Sequence, residues 1–402
     1  MSKIKSAVRR VKNYIYINSC SKNIKKVRAN NHSKKVLFLC QNEAVWPKSE
    51  PVFLELKKLG VDCKLLVLKD NDSLKEGPTV FEKKYPDDVI KYTPGILDSY
   101  KPQLLIYSRP YENYLPEDLH VKNAIKRSLL AYIPYYFALT YEFGLNSPVF
   151  LNSLSFYFAD QESAADFFKK ACKRNIAKGT NNCVELGYPE MDELISRLEE
   201  KNTNSSMFVK NREGLKIIWS PRWTNRIEIG GSFFSDYKDV LFDKLINDNK
   251  YSFVFRPHPL LFAEFIRTGA LTVEEKDNIL KRLEESNNSI YDNTSELYGS
   301  FIDSDVLISD YSSVIPDYAL TGKPLIYCGA KNKPNYTPFI KRLIETSYEV
   351  HNKDELVNYI DELQKGNDPL KEKRAIFFEE IMRVHKGASK RIAEYIKSQL
   401  DN

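Results

Sequence analysis

DVLISDYSSVIPDYALTGKP, residues 305–324, reads as one complete unit of an α/β fold. Val306–Ile308 is a continuous apolar run, the pattern of a strand buried on both faces of a parallel sheet. Ser309, Asp310, Tyr311, Ser312 and Ser313 form a polar turn. A helix follows over Val314–Leu320 and ends at Gly322, with Ser312 or Ser313 as its natural N-cap. Pro316 falls in the first turn, where its missing N–H costs little. A helix start with free N–H groups and two hydroxyls is suited to an anion such as the phosphates of a nucleotide-linked donor. An ordinary serine-capped turn has the same composition.

The same strand–turn–helix pattern repeats in both directions. Strands are expected at 36–40, 63–68, 103–107, 129–135, 156–159 and 184–186, then again at 215–219, 253–255, 306–308 and 325–328. Helices are expected between them, including 161–174 and 237–247, and three more close the chain after residue 353. A polar stretch, EEKNTNSS at 199–206, separates the two series as a linker or exposed loop. Two series of this kind imply two doubly wound parallel sheets of Rossmann type facing across a cleft, with ligands at the carboxyl ends of the strands. The expected division is an arm at 1–35, one domain at 36–190, a second at 191–375, and a C-terminal helix at 376–402 that crosses back to the first.

Polar residues at strand ends are therefore the candidates for chemistry. FVFRPHP, residues 253–259, presents Arg256 and His258 from a strand end stiffened by Pro257 and Pro259. An imidazole beside a guanidinium suits phosphate chemistry, as a proton carrier or as positive charge. IIWSPRWT, residues 217–224, carries Ser220 and Arg222, with Trp219 or Trp223 able to stack on a base. LGYPEMD, residues 186–192, reads as a structural turn.

Charge is unevenly placed. Residues 1–35 hold eight Lys and three Arg and no acid, a net +11; the remainder holds 49 basic and 54 acidic residues, a net −5. A slightly acidic body argues against a nucleic-acid binder. In the arm, Ile4, Val8, Val11 and Ile15 recur at helical spacing, with most cations off that stripe. Residues 1–20 are thus expected to lie on an anionic membrane surface. The six cysteines show no metal or redox spacing, and no stretch of apolar residues is long enough to span a bilayer. P-loop, GxGxxG, HExxH and GxSxG motifs are absent. No metal-ligand set is read, and Mg²⁺ arriving with a donor is the one cofactor left open.

Taken in order, GYPEMD, IIWSPRWT, RPHP and DVLISDYSSVIPDYALTGKP resemble the motifs of the CDP-glycerol glycerophosphotransferases, the teichoic-acid primases and polymerases and related capsule enzymes. The likeness is strong over about 183–330 and weaker over 36–182. It implies a GT-B-like fold, with the CDP-alditol donor on the C-terminal half and a lipid-linked or glycan acceptor on the N-terminal half. It also implies a cytoplasmic protein held peripherally on the inner face of the cell membrane. The reaction implied is transfer of glycerol or ribitol phosphate with release of CMP. His258 matches the family's RPHP histidine, implicated in catalysis and donor-phosphate contact. Ser312 and Ser313 match serines near the donor phosphates, and Asp310, Arg256, Arg222 and Ser220 are the further donor-side candidates. One departure stands out. The family's HGTPLK-like motif, whose His is the proposed base, is replaced by YIPYYFALTYEFG at 132–144. The base is then Glu142, a nearby Asp, or His258 itself. A glycosyltransferase using a CMP-sugar, and a non-catalytic scaffold of the same fold, are the alternatives.

Overall fold

The computed structural model describes residues 2–40, 45–68, 79–113, 115–141, 147–210, 213–294, 296–332 and 334–401, with side chains from residue 11 onward. The chain forms two compact units, Met1–Asp192 with Val384–Asn402, and Glu193–Arg383.

The first unit is built on seven parallel strands, β1 (Lys35–Cys40), β2 (Asp62–Val67), β3 (Val89–Lys91), β4 (Leu104–Tyr107), β5 (Leu129–Tyr132), β6 (Phe156–Phe158) and β7 (Asn182–Val184), in the order β3-β2-β1-β4-β5-β6-β7. The second has six, β8 (Leu215–Ser220), β9 (Tyr251–Phe255), β10 (Ser289–Tyr291), β11 (Val306–Ser309), β12 (Leu325–Tyr327) and β13 (Tyr348–Glu349), in the order β10-β9-β8-β11-β12-β13. Each order turns outward from the first strand in both directions, as in doubly wound sheets. The central strands β1, β4, β5 and β9 are buried along nearly their whole length, which explains their unbroken apolar runs. β5 stops at Tyr132, three residues before the expected end, because Pro134 has no N–H to donate to a ladder.

The helices used below are α1 (Ser2–Asn30), α2 (Glu50–Lys58), α3 (Glu162–Ala171), α4 (Pro189–Glu199), α5 (Phe234–Leu245), α6 (Val314–Ala319), α7 (Lys371–His385) and α8 (Ala388–Asp401). The chain leaves the first unit within α4 and returns within α7, so the passage falls inside helices and not in the polar stretch 199–206. That stretch is tied to the second unit: Ser206 Oγ donates to Asp303 at 2.7 Å and Ser300 Oγ accepts the Met207 N–H at 3.0 Å.

α1 departs from the expected free arm. Its second half enters the core of the first unit, with Cys20 and Ile24 fully buried and Val27 nearly so. Ser21 Oγ donates to Asn175 Oδ1 at 2.8 Å. Only Val11, Tyr14 and Ile15 remain as exposed large apolar groups on its described part. At the other end of the chain, Ile392, Ala393, Ile396 and Leu400 of α8 are buried in the same core as Val52, Phe53 and Leu56 of α2.

LGYPEMD is the seat of α8. Gly187 has φ +91°, and a Cβ there would lie 2.7 Å from the Val384 carbonyl oxygen. The Asp192 carboxylate accepts the N–H groups of Gly387 (2.5 Å) and Ser389 (2.9 Å), capping α8. The Tyr188 N–H donates to His385 Nδ1 at 3.0 Å. Arg391 Nη2 donates to the carbonyls of Leu186 (2.9 Å) and Val384 (2.7 Å).

Candidate active site

The strand order brings three of the four motifs to one edge. β9, β8 and β11 are consecutive in the second sheet, and their carboxyl ends lead into RPHP, SPRWT and DYSS. The reversal of winding at β8 and β11 is where such sheets accept ligands.

Buried charges hold these loops. Asp310, 1% exposed, accepts the Arg222 N–H (3.0 Å) and Ser232 Oγ–H (2.6 Å). Burial pushes its carboxyl up to about 6, opposed by those hydrogen bonds. Arg222 Nη1 donates to the Tyr311 carbonyl at 2.6 Å and Nη2 to the Ile229 carbonyl at 2.8 Å, while its guanidinium lies 4.8 Å from the Tyr311 ring centre. Gly230 follows that contact at φ +106°, and a Cβ there would come 2.8 Å from the Tyr311 ring. Arg256 is likewise engaged. It pairs with the fully buried Asp292 and donates to the carbonyls of Glu296 (2.9 Å) and Thr294 (3.0 Å). Asp310, Arg222 and Arg256, expected as donor contacts, thus spend their polar atoms chiefly on loop shape.

What these loops leave uncommitted is a second set. Among the described residues the hydroxyls of Ser220, Ser312 and Ser313 have no protein partner, and Ser313 occupies the N-cap position of α6 without its side chain capping the helix. His258 Nδ1 accepts the Leu260 N–H at 3.2 Å, which places the ring proton on Nε2 and leaves that atom free to donate. Burial, and then the charge of Arg222, push the imidazole down to about 4, so it is neutral at physiological pH. The Trp223 ring stands 6.3 Å from it, half-buried. Trp219 is not available to a base: it is 1% exposed and packs on Phe234, Phe242 and Phe255.

Glu142, the other candidate base, lies outside the described residues. A carboxylate that the sequence reading did not single out is Asp160, just past β6. It is 2% exposed and its Oδ2 accepts the Ala138 N–H at 2.8 Å; burial raises it to about 6. Its signal in the sequence was its place at a strand end. Among the described residues no group of three or more His, Cys, Asp or Glu is placed to hold a metal, and no helix is long and apolar enough to cross a membrane.

A family model described as CDP-glycerol:poly(glycerophosphate) glycerophosphotransferase matches residues 158–398, more than half of the chain. The chain belongs to this family. A teichoic acid glycerol-phosphate transferase of Staphylococcus aureus is 24% identical over 228 residues, a match spanning 53% of this chain and 54% of that relative. The wall teichoic acid polymerase TagF superposes with a TM-score of 0.58 at 16% identity, covering 100% of this chain and 98% of that one. A UDP-GlcNAc 2-epimerase of Neisseria meningitidis bound to UDP-GlcNAc superposes at 0.58 with 14% identity, covering 92% and 100%. The family member therefore has a GT-B-like fold of two α/β units.

Proposed function

We propose that the chain transfers glycerol phosphate from CDP-glycerol to a hydroxyl of a lipid-linked acceptor in teichoic acid synthesis. The acceptor oxygen attacks the β-phosphorus, the P–O bond to the α-phosphate breaks, and CMP leaves with the bonding electrons. The acceptor proton passes to a base or to solvent. The observation that carries this reading is the edge of the second sheet. There, charged residues brace three loops and leave the Nε2–H of His258 and the hydroxyls of Ser220, Ser312 and Ser313 unspent. In this reading the serine hydroxyls receive the donor diphosphate. His258 serves as a neutral hydrogen-bond donor to the phosphoryl oxygens as charge builds on them. Arg222 and Arg256 keep the donors in register.

A donor screen tests it. CDP-glycerol, CDP-ribitol and CMP-sugars are offered with acceptor lipid, and CMP release and product mass are read. CMP from CDP-glycerol alone supports the reading; release from a CMP-sugar alone overturns it. The variant His258→Ala should lower kcat by about 100-fold or more, the scale of a lost oxyanion donor, without lowering the melting temperature. An unchanged kcat would remove His258 from this role.

We further propose that α1 seats the enzyme on the anionic leaflet through Val11, Tyr14, Ile15 and the cations before them, which supports a peripheral position at the cytoplasmic face.

A further inference from the structure

We propose that Ser232 is a positioning residue for the donor: it holds the Asp310 carboxylate, and through it the Tyr311–Ser313 segment, in the arrangement that receives the diphosphate. This rests on the transferase reading above and adds to it a residue that lies outside all four motifs.

A glycine turn ahead of α5 delivers Ser232. Gly230 and Gly231 have φ of +106° and +60°, a region open to glycine and strained for other residues. The turn is fixed to its surroundings: the Gly230 carbonyl accepts the Lys331 N–H at 2.7 Å, and the Gly231 N–H donates to the Arg226 carbonyl at 2.9 Å. Ser232 itself is 1% exposed. Its Oγ–H donates to Asp310 Oδ2 at 2.6 Å, and the same oxygen accepts the Phe234 N–H at 3.1 Å. Asp310 Oδ2 also takes the Arg222 N–H at 3.0 Å. One hydroxyl and one carboxylate oxygen therefore join the loop after β8, the turn after β11 and the start of α5. Asp310 stands between two backbone anchors, since the Cys328 N–H donates to the Ser309 carbonyl at 2.9 Å and the Tyr311 N–H to the Gly329 carbonyl at 3.0 Å. Ser312 and Ser313 follow directly on that anchored stretch.

The chemistry makes the hydroxyl necessary. Among the described residues Ser232 is the one side chain that donates to Asp310. The groups facing the carboxyl from the packed elements are Arg222 after β8, Tyr237 of α5, Tyr327 of β12 and Cys328 just past it. Burial keeps the last three neutral, and the Arg222 guanidinium is turned to the carbonyls of Tyr311 and Ile229. Burial pushes the Asp310 carboxyl up to about 6, and the Ser232 hydrogen bond is the largest of the influences that hold it down. Protonation would put an O–H where two donors already converge, and the junction would open.

The test separates donor binding from turnover on the full chain. Binding of CDP-glycerol is measured by titration calorimetry from pH 5 to pH 8 for the wild type, Ser232→Ala, Ser232→Cys and Ser232→Thr, with melting curves alongside. At pH 7 the alanine and cysteine variants should bind roughly tenfold more weakly, the scale of one lost hydrogen bond to a charged group. The pH below which binding fails should rise by about one unit from its place near 6. Threonine keeps the hydroxyl and should restore both. In steady-state assays the donor KM should follow binding while kcat holds. A serine that only caps α5 would lower the melting temperature and leave the pH midpoint where it is, and that outcome overturns the proposal. So does a threonine variant as weak as alanine, or a fall in kcat at unchanged donor KM. If the alanine variant does not fold, cysteine, close to serine in shape, compared with threonine decides. If the wild type does not bind CDP-glycerol, the transferase reading fails and this proposal with it; binding that none of the variants alters removes Ser232 alone.

Discussion

His258 and Arg222 show how little of a side chain's role follows from its type. An imidazole beside a guanidinium looks like a pair of positive charges for phosphate. Here the guanidinium is enclosed by carbonyls and a tyrosine ring, and its charge helps keep the imidazole neutral. An NMR titration of the His258 ring should therefore show no ionisation between pH 6 and 7, with protonation only near pH 4. A midpoint near 6.5 would contradict the buried setting. Arg222→Ala removes two charge-assisted hydrogen bonds to carbonyls, each worth about 1.5–3 kcal/mol. A fall in denaturation free energy of at least that size is expected, along with weaker donor binding from the loosened Tyr311 and Gly230 contacts. The sequence marked these residues correctly as strand-end polar groups. It could not show that Arg256 is absorbed by Asp292, 36 positions away, or Asp310 by Ser232, 78 positions away, because those partners meet only through the sheet.

At the scale of elements, the long buried strands and the closing helices were legible because their period and length carry the signal. The short edge strands β3, β10 and β13 were not. Each has two or three residues and a polar or exposed member, so its pairing comes from the neighbouring strand and not from its own pattern. α1 was legible as a basic helix, but the burial of its second half was not. The apolar residues Ile24 and Val27 sit among Lys22, Lys25, Lys26 and Arg28, which mask them in any running average. Two predictions separate its halves. Val11→Glu with Ile15→Glu should release the protein from anionic vesicles in a flotation assay while the melting temperature holds. Ile24→Ala should cost about 2–5 kcal/mol of stability, the range for truncating a buried isoleucine, and leave vesicle binding intact. A double glutamate variant that still floats with the vesicles would end the docking role of α1.

Across the whole molecule, buried ionisable groups pull stability in two directions with pH. His258 and His385 both lie near 4 against an ordinary 6.5, so the unfolded chain binds their protons first, and stability is lost as pH falls from 6.5 toward 4. Asp160 and Asp310 lie near 6 against an ordinary 3.8; their contribution is full below 3.8 and is lost as pH rises through 6. His385→Asn removes one of the first pair. The stability gap between wild type and this variant should narrow by about 3 kcal/mol on going from pH 7 to pH 4, read by urea denaturation. A gap that stays constant would mean that the His385 ring is not the buried base that its contacts with Tyr188 and Phe137 make it. The placement of α8 against α2 also sets a timetable. On a ribosome, the second unit has all of its residues by Arg383, whereas the first still lacks the helix that covers Val52, Phe53 and Leu56. The part synthesised first is the part completed last, and until residue 400 emerges that apolar face is open to chaperones or to a neighbouring nascent chain.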